Sequence, residues 1–167
     1  EAIINANNNS QSGSTDCGSG TSGATDLINF SALFNAPQTI TLTLGELAIN
    51  SSVTINGPGA NLLTVSGNNL NRIFRISTGT VSLSGLTVTA GNGSSLPGGG
   101  IRIDGGTVTV TQCQIMGSTA GDGGGIFNAG TLTLVQSTVA NNTATVNNAG
   151  GGIGSDGTLT ITNSTIS

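Results

Sequence analysis

Lysine, histidine, tryptophan and tyrosine are all missing from this sequence, and its arginines are Arg72, Arg75 and Arg102. Charged residues fill 6% of the 167 positions, against roughly 25% in an ordinary globular domain. Nucleic acid and anionic membrane both need clustered cations, so the few arginines and the net charge of −4 argue against either partner. No apolar run reaches 18 residues, so no membrane span is expected. Low charge often marks a chain that cannot fold, but here valine, leucine and isoleucine alternate with polar residues at strand periodicity. Gly, Ser, Thr and Asn take over the work of keeping the surface wet.

What is present is a phrase said three times: Gly98-Gly99-Gly100-Ile101, Gly123-Gly124-Gly125-Ile126 and Gly150-Gly151-Gly152-Ile153. A Thr-rich alternating run follows each: Thr107-Val108-Thr109-Val110, Thr131-Leu132-Thr133-Leu134 and Thr158-Leu159-Thr160-Ile161. Ile101 and Ile126 are 25 apart, Ile126 and Ile153 are 27 apart, and a degenerate copy starts 27 earlier at Phe74. A period in the 20s, made of short strands and glycine turns with no helix between them, is the mark of a solenoid. Three short strands per coil, each with inward apolar residues at i and i+2, predict an all-β, right-handed, three-sided parallel β-helix.

In chain order, Ala2, Ile3 and Ala6 predict one apolar face of a short N-terminal capping helix. The stretch from Ser10 to Asp26 reads as a Gly/Ser/Thr-rich loop. Residues 1–38 are expected to form this cap and loop, and residues 39–167 the coils, about 25–27 residues each. Ile40, Leu42 and Leu44 are expected on one face of the first alternating strand, with Thr39, Thr41 and Thr43 on the other. Each terminal coil of a solenoid shows unpaired backbone groups and apolar side chains, which natural proteins cover. The cap serves one end. At the other, Ile166-Ser167 stops in mid-coil, so further coils or another chain are expected there. The start at Glu1 reads as a trimmed or mature piece of a longer product.

The opening Glu-Ala-Ile-Ile-Asn-Ala-Asn, Asp16-Cys17, Gly23-Ala24-Thr25-Asp26, Phe30, Gly45-Glu46-Leu47 and Ile55-Asn56-Gly57-Pro58-Gly59 resemble a bacterial domain. That domain is named for its Cys-Ser-Leu-Arg-Glu-Ala (CSLREA) signature. The likeness runs over essentially the whole chain, and the Gly-Gly-Gly-Ile coils are also similar to those of chlamydial polymorphic outer-membrane proteins. The resemblance implies a right-handed β-helix on an extracellular, often cell-anchored protein with no established catalytic residues. Only the Glu-Ala end of the signature is present, which leaves Cys17 without the partner the resemblance implies.

Candidate chemistry is sparse. Cys113 takes the place of Leu86 one coil on and should point inward, while Cys17 lies in a loop. They form either a disulfide or two separate thiols. Large β-helix enzymes acting on polysaccharides use clustered Asp with His, Lys or Arg close by. Here the acids Glu1, Asp16, Asp26, Glu46, Asp104, Asp122 and Asp156 fall on different coils. Arg75 and Arg102, one coil apart with Asp104 nearby, are the one anion or glycan contact expected. Asp122 and Asp156 adjoin Gly-rich turns, but the regular Gly/Asp spacing of a calcium-binding roll is absent, and neither a metal nor a cofactor is expected. Thr80, Thr107, Thr131 and Thr158 should stack in one outward column, and Ser82, Thr109, Thr133 and Thr160 in the next. Such an array resembles the ice-binding face of β-solenoid antifreeze proteins, although Thr is also simply a good exposed strand residue. Asn8, Asn50, Asn92, Asn141 and Asn163 satisfy the glycosylation pattern, which chance supplies in so Asn-rich a chain.

These observations lead to a non-enzymatic extracellular or cell-surface β-helix, structural or adhesive. Self-association end to end is expected, with Ile3 and Ile4 at one end and Leu159, Ile161 and Ile166 at the other, building a filament. Its competitors are a polysaccharide-binding or polysaccharide-degrading β-helix and an ice-binding protein.

Overall fold

A computed structural model describes residues 2–10, 20, 23–30, 35–146 and 149–167. They form an all-β solenoid of about five turns, preceded by the short helix α1 (Ala2–Asn8). Three parallel sheets make its sides. Sheet A holds six strands: Asp26–Asn29, Val53–Asn56, Thr80–Ser84, Thr107–Thr111, Thr131–Val135 and Thr158–Thr162. Sheet B holds Gln38–Thr41, Leu63–Ser66, Thr87–Thr89, Gln114–Met116, Thr138–Ala140 and Thr165–Ile166. Sheet C holds five: Leu47–Ile49, Phe74–Ile76, Ile101–Ile103, Ile126–Asn128 and Ile153–Ser155. A two-stranded ribbon, Thr119–Ala120 with Thr143–Ala144, widens the corner between sheets B and C.

Period-2 alternation of branched residues gives each strand one inward face. On sheet A the columns Val53, Val81, Val108, Leu132 and Ile55, Leu83, Val110, Leu134 are in register and buried. Sheet B adds Val65, Val88, Ile115 and Val139, and sheet C adds Ile76, Ile103, Phe74, Ile101 and Ile126. The core is a rod of like residues stacked on like.

Successive rungs of sheet A lie 27, 28, 27, 24 and 27 residues apart, a wider spread than the sequence suggested, because the corners absorb insertions without disturbing the strands. Solenoid pairing also starts before residue 39: Asp26–Asn29 and Gln38–Thr41 already pair with the second coil. Leu44 breaks the expected alternation. Its strand stops at Thr41, the chain bends towards sheet C, and Leu44 is fully exposed.

The corners explain the repeated glycines. A Cβ on Gly124 would collide with the carbonyl oxygens of Thr143 and Gly151 on the next coil, so this corner closes only without side chains. Between sheets A and B the chain turns through left-handed residues stacked in register: Gly85, Gln112, Gln136 and Asn163, with φ of 60°, 53°, 46° and 49°. The following residues form an internal ladder. The Ser137 Oγ accepts the Cys113 amide at 3.1 Å, and the Ser164 Oγ accepts the Ser137 amide at 3.0 Å. Ser118 and Asn142 do the same at the next corner, accepting the amides of Gly91 (3.1 Å) and Ser118 (3.0 Å). Among the described residues no buried side-chain polar atom lacks a partner. Cys113 is buried where Leu86 stands one coil earlier, and that burial pushes its thiol pKa up to about 11. Cys17 and most of the expected loop lie outside the described residues.

Candidate functional site

Three places on this solenoid could carry chemistry: the outward face of sheet A, the cation cluster beside sheet C, and the two ends.

On sheet A, Thr80, Thr107, Thr131 and Thr158 are in strict register, as are Ser82, Thr109, Thr133 and Thr160. Both columns point to solvent, because the residues between them face the core. The third column reads Ser84, Thr111, Val135 and Thr162. The second column continues through Thr54 to Leu27, which is exposed on the same outward face. The array is therefore regular over four coils and apolar at its head.

On sheet C, Arg75 and Arg102 occupy paired positions of adjacent rungs. Asp104 bridges them: its Oδ2 lies 2.7 Å from the Nε of Arg75 and its Oδ1 lies 2.6 Å from the Nε of Arg102. Desolvation pushes the Asp104 carboxyl pKa up. The hydrogen bonds and charges of both arginines outweigh that push and hold it below the usual carboxylate range. A carboxylate so held is a poor proton donor near neutrality. Glu46 joins the cluster 3.8 Å from Arg75 and, through Oε2, 2.6 Å from Arg72.

Arg72 was not singled out by the sequence reading. It is buried, and its Nε and Nη2 donate to the carbonyls of Gly98 (2.7 Å) and Pro97 (3.0 Å). Its job is to staple the 93–98 turn to the coil below. The legible signal was its separation of 26 from Glu46, one coil, which sets an opposite charge beside it. Next to this staple is a shallow cleft of about 260 Å³, walled by Leu70, Leu96, Asn71 and Asn92. All three arginines are thus engaged with carboxylates, and Arg75 is the most exposed of them.

The acidic candidates for calcium serve elsewhere. The Asp122 Oδ1 accepts the amides of Gly123 (2.6 Å) and Gly150 (2.9 Å), tying two coils at a corner. Asp156 is exposed at a different corner, just after the strand Ile153–Ser155. Among the described residues, no three of His, Cys, Asp and Glu gather closely enough to hold a metal ion.

The ends differ from each other. At the first coil α1 lies along the free edge of Leu47–Ile49. The Asn7 Nδ2 donates to the Ala48 carbonyl (2.8 Å) and its Oδ1 accepts the Asn50 amide (2.9 Å), as a neighbouring strand would. Ala6 is buried and Ile3 packs on the core, whereas Ile4 is half exposed. At the last coil Ile161 is 44% and Ile166 42% exposed, although each continues an inward column. Leu159 and Ile153 are partly buried against the core.

The fold and these sites define a parallel β-solenoid protein. No family model, curated protein or solved structure matches the sequence.

Proposed function

We propose that this protein is a non-enzymatic structural or adhesive β-solenoid of the extracellular space or cell surface, and that copies of it associate end to end. The observation that carries the reading is the stack of rungs itself: columns such as Ile55, Leu83, Val110 and Leu134 set like on like in register, so a rung of this kind accepts another of the same kind. An open rung of a parallel sheet offers both unpaired backbone groups and apolar side chains, and another rung satisfies both. The acids and arginines beside sheet C neutralise one another, which suits a scaffold better than a glycan-cleaving centre. The resemblance of the Gly-Gly-Gly-Ile coils to the CSLREA-type surface domain supports the setting.

Sedimentation of the purified chain across concentration, with electron microscopy of the same samples, tests this. Concentration-dependent oligomers and rods are expected. Dispersed monomers at every concentration would remove the end-to-end reading and leave an isolated adhesive domain. A second reading comes from the in-register threonine columns, which suit an ordered surface such as ice or a crystalline polysaccharide. Thermal hysteresis that vanishes in Thr109→Lys with Thr133→Lys would favour it.

A further inference from the structure

We propose that the cleft between the corner turns 67–73 and 90–100 binds a neutral sugar ring of a glycan. Leu70 and Leu96 grip the ring from either side, and Glu46, Asn71 and Asn92 hydrogen-bond its hydroxyls. This rests on the adhesive side of the proposed function and not on end-to-end association. Leu70 is 70% and Leu96 55% exposed. Each stands in a turn whose flanking strands are paired on both sides, so its exposure owes nothing to a missing rung. The cleft holds about 260 Å³, just below the ~300–1,000 Å³ of sites for larger organic ligands, which suits one ring of a chain.

The walls are fixed before any ligand arrives. The Leu70 amide donates to the Gly67 carbonyl (3.0 Å), and the Leu96 amide donates to the Gly93 carbonyl (3.0 Å). The Leu96 carbonyl in turn accepts the Gly121 amide (3.0 Å). Arg72 ties the second wall to the first through Pro97 and Gly98, and the Asn92 Nδ2 does so through the Asn69 carbonyl (2.9 Å). Rigid walls spare a ligand the cost of ordering them. Polar groups remain unspent between the walls. The Asn71 side-chain amide makes no hydrogen bond among the described residues and offers both a donor and an acceptor. The Glu46 Oε2 is held by Arg72 at 2.6 Å, but its Oε1 stands 3.8 Å from Arg75, beyond hydrogen-bond reach, and can accept. The Asn92 amide keeps an N–H after its bond to Asn69. Such a set calls for a ligand that donates and accepts at once, and the leucines call for an apolar face. A pyranose ring has both: hydroxyls around its rim and C–H bonds across its faces. A fully apolar ligand would bury Asn71 and Glu46 unpaired. An ion finds no surplus charge, since Arg72 balances Glu46 at the cleft.

A printed array of neutral and acidic glycans, probed with the purified chain, tests the site. Each retained glycan is then titrated as the free oligosaccharide, with two-dimensional NMR of the asparagine side-chain amides as the reporter. Neutral glycans should be retained, and the side-chain amides of Asn71 and Asn92 should shift as they bind. Asn71→Ala should weaken binding about tenfold, and Leu70→Ala with Leu96→Ala at least as much. None of these side chains belongs to the core, and circular dichroism checks each fold. Thr109→Ala, on the outward face of sheet A, should bind as the native chain does. Preference for acidic glycans, or an affinity unchanged in Asn71→Ala and in the leucine pair, would overturn the site. Binding lost in Thr109→Ala instead would overturn it while leaving an adhesive protein. Retention of no glycan, with rods still seen by electron microscopy, would overturn the site and leave the structural reading standing.

Discussion

Leu83, Val110 and Ile161 occupy one column of one sheet, yet the first two are sealed from water and the third is nearly half exposed. The local pattern around them is the same: a branched apolar residue between threonines or serines. The difference is the rung beyond. Leu83 and Val110 have a coil above and below, whereas Ile161 has one on a single side. In a solenoid, burial belongs to neighbouring repeats and not to the strand itself.

The comparison breaks most sharply under charge. Val110→Asp buries an unpaired carboxylate between two coils and should cost more than about 4 kcal/mol, enough to unfold a domain of ordinary stability. Ile161→Asp places the same group in a rung with a coil on one side, where Ile161 is 44% exposed, and should shift the stability of this chain by no more than about 1 kcal/mol. Thermal unfolding of both variants checks the pair. A folded Val110→Asp protein would mean the inward face is wrongly placed.

A gentler difference separates Cys113, inside the serine ladder at the corner between sheets A and B, from Ser164 in the last rung of that ladder. Burial raises the Cys113 thiol in the folded state to about 11, above its unfolded value near 9. The protonated thiol therefore favours the folded state. This contribution is complete below about pH 9 and is lost as pH rises through about 11. Denaturant midpoints between pH 8 and pH 11 should fall more steeply for the native protein than for Cys113→Ala. Parallel profiles would mean the thiol reaches solvent.

The smallest effect belongs to the outward face. Thr109→Asp should alter stability by about 0.5 kcal/mol or less, because its side chain meets water in a middle coil as Thr160 does in the last. A large loss in Thr109→Asp, measured by the same thermal unfolding, would mean something covers that face.

Most of the scaffold was legible because its contacts repeat at one period. Once the Ile101 to Ile126 to Ile153 spacing was recognised, Thr107, Thr131 and Thr158 had to align, as did Arg75 with Arg102. The capping helix could be read from Ala2, Ile3 and Ala6. The corners were harder. The polar signature of Gln112 and Gln136 gives no hint that both adopt left-handed φ, and Leu44 satisfies a strand alternation that the chain abandons three residues earlier. Arg72 looked like one cation among three until its three hydrogen-bond partners, Glu46, Pro97 and Gly98, were seen together.

The amino-acid order by itself determined the coil, its inward columns and its threonine face, because each depends on alternation of two and a period near 27 that any reader can count. Only the tertiary structure decided how Asn7 stands in for a strand along Leu47–Ile49, where the chain leaves its strand before Leu44, and which carboxylate each arginine meets. Those outcomes depend on distances between segments a full coil apart and on what lies beyond a rung. No local pattern encodes either.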